Sequence, residues 1–115
     1  MSEGLYLVFS KPPASIAPAD YDRWYHDHLR ENLEAPGFTA GRRFAPEQTV
    51  AGADPDAAFS HLAVYETAAP LDDLRAGLNH RLDSGAVVLP DWFGEIGFSS
   101  WYCRPLEERV EAPGN

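Results

Sequence analysis

Residues 18–38 read PADYDRWYHDHLRENLEAPGF. Pro18 suits the first position of a helix, and Asp20 and Asp22 lie near the positive end of its dipole. Tyr21, Trp24, Tyr25, His28, Leu29 and Asn32 then recur at i, i+3, i+4, i+7, i+8 and i+11. That spacing is one face of an α-helix running to about Glu34. Leu33 extends the edge of this face, while Arg23, Asp27, Arg30 and Glu34 fall opposite. Pro36-Gly37 ends the helix.

On either side of this helix the chain reads as strands. LYLVF, residues 5–9, is short, aromatic and stopped by Lys11-Pro12-Pro13. FTAGRRFA, 38–45, is a second strand, and PEQTVAGADPD, 46–56, a polar surface loop. AFSHLAVYE, 58–66, is a third strand. Pro70 starts a second helix with Leu71, Leu74, Leu78 and Leu82 as its stripe and Asp72 and Asp73 in its first turn. Residues 83–92 read mostly as loop, although Ala86-Val87-Val88-Leu89 must be buried somewhere. EIGFSSWYCR, 95–104, is the fourth strand. The charged tail from Pro105 ends in Pro113-Gly114 and is expected to fray or to pack on a partner.

The order β-α-β-β-α-β predicts an α+β, ferredoxin-like fold: a four-stranded antiparallel sheet with two helices on one face. Such a layout leaves the other face wet only if it is polar. Here both parities of the first strand are apolar, Leu5, Leu7 and Phe9 against Tyr6 and Val8. A second sheet is therefore expected over the far face, and a symmetric homodimer forming a dimeric α/β barrel is the economical source.

The 115 residues correspond to one domain spanning 1–115, with a core from about 5 to 106 and a tail from 107. A hydrophobic fraction of 44% argues against disorder. The formal charge of −9 disfavours nucleic acid and anionic membrane surfaces as partners. The single cysteine, Cys103, cannot form an internal disulfide. Together with an N-terminus unlike a signal peptide, it predicts a cytoplasmic protein. No apolar run is long enough to span a membrane.

The run Tyr21-Asp22-Arg23-Trp24-Tyr25-His26-Asp27-His28-Leu29-Arg30-Glu31-Asn32-Leu33 leads into Ala35-Pro36-Gly37-Phe38, and Arg42-Arg43-Phe44 follows. With Pro90-Asp91-Trp92-Phe93 and Trp101-Tyr102-Cys103-Arg104-Pro105, this resembles the EthD-like branch of the dimeric α/β-barrel superfamily over about residues 5–106. The resemblance implies the same fold and dimer. It does not select an activity, because the superfamily includes monooxygenases of antibiotic biosynthesis, polyketide and olivetolic-acid-type cyclases, haem-degrading proteins and chlorite-dismutase relatives. It also implies that His61, in strand three, lines a cavity as the similar position does in the olivetolic-acid-type cyclases.

His28 is the sharpest chemical feature. It sits mid-stripe between Trp24, Tyr25 and Leu29, where an unpaired imidazole costs about 1–3 kcal/mol. A packed, hydrogen-bonded core histidine would also satisfy the pattern. The functional reading is a general acid/base in a pocket between helix and sheet, oriented by Glu31 one turn away. Alternation puts His61, Ala63 and Tyr65 on one face of their strand. Tyr25, Tyr65 and Tyr102 should converge, to orient a carbonyl or stack on an aromatic ligand, or simply to pack. Trp24 and Asn32 share the His28 face. Arg42 and Arg43 alternate, so an inward Arg43 could meet a substrate carboxylate or, more ordinarily, a protein acid.

His26 and His80 lie off the stripes and read as surface residues. His26 and His28 project about 200° apart on the helix, so no metal site is expected. Cys103 reads as a buried, inert thiol. No phosphate loop is present, and no cofactor is expected. A haem site is compatible with the fold, but no residue pattern supports one.

These features point to a cofactor-independent enzyme acting on a small hydrophobic or aromatic, polyketide-like carbonyl compound as cyclase, isomerase, lyase or decarboxylase. His28 would be the base, Glu31 its orienter, and His61 or a tyrosine the donor to the enolate oxygen. Trp24, Tyr25, Asn32, Arg43, Tyr65 and Tyr102 would bind substrate. The alternatives are a cofactor-free monooxygenase of a phenol and a non-catalytic small-molecule binder or accessory protein.

Overall fold

The computed structural model of the chain describes residues 4–47 and 59–114. The order is β1 (Gly4–Lys11), α1 (Pro18–Asn32), β2 (Phe38–Phe44), β3 (His61–Thr67), α2 (Leu71–Asp83), a single 3₁₀ turn (Phe93–Glu95) and β4 (Gly97–Cys103). The strands form one antiparallel sheet in the order β2-β3-β1-β4. This is the expected ferredoxin-like arrangement. Residues 48–56 of the expected polar loop, and Ala58 of the third strand, lie outside the described residues.

Local chemistry explains the breaks. Pro18 opens α1 without losing a needed N–H, and Asp20 sits in its first turn. After α1, Gly37 adopts φ +92°, a left-handed conformation natural to glycine. A Cβ there would lie 2.7 Å from the Ala69 Cβ and 2.8 Å from the Leu74 Cδ2. The same glycine therefore turns the chain and lets α2 approach β2. Phe38 then enters β2 opposite Thr67, and a register shift before Ala40 bends this edge strand.

Which strand parity faces the helices was open in the sequence and is settled by packing. Tyr6 lies between Tyr65 and Tyr102 in the sheet, and Val8 between Ala63 and Ser100. This face carries the core with Tyr21, Tyr25 and Leu29 of α1 and Leu74 of α2. The buried Tyr21 hydroxyl donates to the Ser10 Oγ at 2.7 Å, which satisfies both groups. On the other face Leu7 stands between Val64 and Trp101, and Phe9 opposite Leu62. Among the described residues Phe59 packs against Phe9 at one end of that side, and the rest is open: Leu5 is 40% exposed, Phe44 44% and Trp101 61%.

Cys103 departs from expectation. It is exposed, because β4 is an edge strand and its alternation turns this side chain to the uncovered face. The tail beyond it carries no regular structure, and Leu106 is fully exposed. Among the described residues no helix is long and apolar enough to cross a membrane.

Candidate functional site

A cavity of about 250 Å³ lies between the helix-facing side of the sheet and the two helices. Tyr6 and Val8 of β1, Phe38 of β2 and Tyr65 of β3 provide part of its floor. From α1 come Tyr25, His28 and Asn32, three members of the stripe at i, i+3 and i+7. Leu78 and Leu82 of α2 form another wall. The segment after α2 closes it with Val87, Leu89 and Phe93, followed by Phe98 and Ser100 of β4. Of the run Ala86–Leu89 only Val87 is fully buried; it faces the cavity with the partly buried Leu89, whereas Ala86 is exposed and Val88 is 77% exposed, so the expected burial holds for half of the run.

His28 stands in this wall with its side chain only 11% exposed. One face of its ring stacks on Trp24, with centroids 4.8 Å apart and planes 15° from parallel. Phe93 and Tyr25 meet it edge-on. The Nδ1 atom is buried and has no hydrogen-bond partner. Apolar burial holds the imidazole pKa down at about 4, so the ring is neutral at physiological pH.

Opposite the imidazole in character is a phenol–amide cluster. The Asn32 Nδ2 donates to the Tyr65 hydroxyl oxygen at 3.2 Å. Tyr25 lines the cavity beside it. Burial pushes the Tyr65 phenol up to about 12 and raises that of Tyr25 as well, so both keep their protons. With the Asn32 amide already on its oxygen, Tyr65 keeps its own proton for a further partner.

Several residues expected in the site are elsewhere. Glu31 Oε1 lies 3.9 Å from His28 Nδ1, beyond hydrogen-bond reach, and does not line the cavity. His61 is on the helix-facing side but at the other end of α1, edge-on to Tyr21. Its Nε2 contacts Asp22 Oδ1 at 3.1 Å and its Nδ1 the Ser60 Oγ at 2.8 Å, so both ring nitrogens are engaged away from the cavity. Arg43 does point inward, but it donates to the Asp22 carboxylate at 2.6 Å and to the Asp22 carbonyl at 3.1 Å. Its guanidinium also covers the Tyr25 ring at 5.1 Å. That ion pair holds the Asp22 carboxyl below the usual range. Trp24 supports His28 from behind, and Tyr102 donates to the Ala69 carbonyl at 3.2 Å; neither borders the cavity.

The structure therefore brings together His28, Tyr25, Asn32 and Tyr65 of the expected set. It adds Tyr6, Ser100 and an apolar lid that sequence reasoning did not assign. The signal for the lid was the apolar run in a loop; Tyr6 and Ser100 had none, because their parity was undetermined. His26 and His80 are exposed as expected. Among the described residues no group of three or more His, Cys, Asp or Glu side chains could hold a metal.

Fold and cavity together define a ferredoxin-like α+β protein with an apolar ligand-sized chamber under its helices. No protein-family model matches the sequence, and no curated protein does. Among solved structures the chain is similar to the "putative monooxygenase from Shewanella loihica PV-4", with a TM-score of 0.53 and 16% identity. The match covers 96% of this chain and 99% of that one, and at this identity it shows a shared fold.

Proposed function

We propose that this chain is an EthD-like, cofactor-independent enzyme that removes a proton beside a carbonyl in a small hydrophobic or aromatic compound. The observation that carries this reading is the unpartnered, neutral imidazole of His28 in the wall of an apolar cavity that also holds the Tyr65 hydroxyl. A neutral ring is free to accept a proton at any physiological pH. Its depressed basicity restricts it to acidic protons, such as a carbon flanked by two carbonyls. Tyr65, fixed by Asn32, then donates to the enolate oxygen as charge develops on it. The imidazolium and enolate form together, and each offsets the burial cost of the other. The proton returns to carbon or oxygen after cyclisation, isomerisation or bond cleavage. Glu31, His61 and Arg43 have no direct part in this scheme.

The test is turnover of 1,3-dicarbonyl aromatic substrates by the parent and by His28→Phe, which keeps an aromatic ring against Trp24. Loss of activity with retained fold supports the assignment; undiminished turnover removes His28 from the chemistry. A second reading, cofactor-free oxygenation of a phenol, is favoured by the activity named for the Shewanella protein of the same fold. Oxygen uptake during turnover separates the two, since a cyclase or lyase consumes none. Ligand binding with no chemical change would instead indicate a binder or accessory protein.

The far sheet face supports a homodimer as the working form. Leu5, Phe44 and Trp101 are exposed there beside Leu7, Phe9, Leu62 and Val64, an apolar surface continuous across all four strands. The same face carries Arg42 and Glu66, and among the described residues neither forms an ion pair. A two-fold axis lying parallel to this face, in the plane between two copies, would supply both with opposite charges and close two sheets into a barrel.

A further inference from the structure

The cavity is lined by six polar side chains: Tyr6, Tyr25, His28, Asn32, Tyr65 and Ser100. None carries a charge at neutral pH. The two half-buried arginines of the chain's helix-facing layers are both held outside it by acids. Arg43 is fastened to Asp22 at 2.6 Å, and Arg81 to Glu34 at 2.9 Å. The chain as a whole carries −9. From this arrangement we infer that the cavity selects uncharged ligands, aryl ketones and un-ionised phenols, and rejects the corresponding carboxylates. The inference rests on the proposed function for its premise that the cavity is the ligand site, and it narrows the substrate class within it.

The physical basis is desolvation. A carboxylate entering an apolar chamber loses its hydration and must recover it from a counter-charge or several strong donors. Here the available donors are phenols, one amide already bonded to Tyr65, and a serine, all of them neutral. A ketone of the same shape needs a single donor, which Tyr65 provides. The sequence alone left two partners open for an inward Arg43, a substrate carboxylate or, more ordinarily, a protein acid, and Asp22 is that acid. In a reaction sequence, an acid precursor would have to lose or mask its carboxylate before reaching this protein. A decarboxylating or ester-forming step would precede it.

The experiment compares two nearly isosteric probes, 2-acetylnaphthalene and 2-naphthoate, by calorimetry at pH 7.5 on the full chain. The ketone is expected to bind at least about 30-fold more tightly, the factor set by an uncompensated penalty of a few kcal/mol. Residual naphthoate binding should strengthen about tenfold for each unit the pH falls towards 5, because only the protonated acid enters. Leu82→Arg places a cation at the mouth, where Leu82 lines the cavity and is 42% exposed. That variant should narrow the gap about tenfold or more by the attraction of a partly buried pair. Equal or tighter naphthoate binding by the parent overturns the inference while leaving the cavity as the site. Binding of neither probe overturns the inference and the proposed site together.

Discussion

Acidification from pH 6.5 to 4 should destabilise the protein through His28. Its imidazole is depressed from 6.5 in the unfolded chain to about 4 in the folded one by burial. Above pH 6.5 both states hold the ring neutral, and the stabilising difference is fully present. As pH falls from 6.5 to 4 the unfolded chain takes up a proton that the folded chain refuses. The unfolding free energy then drops by about 1.4 kcal/mol per pH unit, roughly 3 kcal/mol in all. The side chain is only 11% exposed, so solvent screening removes little of this. Asp22, whose carboxyl is also depressed, loses its contribution only as pH falls below the ordinary carboxyl value of about 3.8, outside the window. The assay is urea unfolding of the parent and of His28→Phe at half-unit steps from pH 7.5 to 4. Protein concentration must be held fixed, because an oligomer's midpoint depends on it. The difference between the two proteins cancels the general effect of titrating a chain of charge −9. A slope near 1.4 kcal/mol per unit is expected in that difference. A flat difference between pH 6.5 and 4 would refute the buried, unpartnered imidazole and the chemistry built on it.

Tyr65→Phe removes the acceptor of the Asn32 amide and leaves that group unpaired; stability measured by thermal melting should fall by about 1–3 kcal/mol, and turnover should fall further than binding. Trp101→Glu places a charge on the uncovered apolar face, and sedimentation should show a shift from dimer to monomer with the secondary structure retained in circular dichroism. Gly37→Ala meets both a positive φ and contacts under 3 Å to Ala69 and Leu74, so chemical denaturation should report a loss of about 1–3 kcal/mol.

Much of the architecture was legible in local patterns. The stripe from Tyr21 to Asn32 marked α1, Pro36-Gly37 marked its end, and the leucines at 71, 74, 78 and 82 marked α2. The four apolar runs became the four strands in the expected order. The candidate site was legible only in part. His28, Tyr25 and Asn32 reached the cavity because one helical face was expected to, and one helical face did. His61 and Arg43 shared the correct sheet face with Tyr65, yet they lie at its other end and are tied to Asp22. Glu31 is one turn from His28, but its carboxylate stops short of the ring.

Periodicities of 3.6 and 2 are properties of adjacent residues, so the sequence by itself determined which segments are helices and strands and which side chains share a face. It could not choose between two equally apolar strand parities, nor say which groups on a shared face meet. Those outcomes were decided by the tertiary structure. Register across the sheet put Tyr6 beside Tyr65 and sent Trp101 and Cys103 to the open side. Helix placement then joined Asp22 to Arg43 and left His28 without a partner, because hydrogen bonds and ion pairs reach only a few ångströms and depend on how distant segments are laid together.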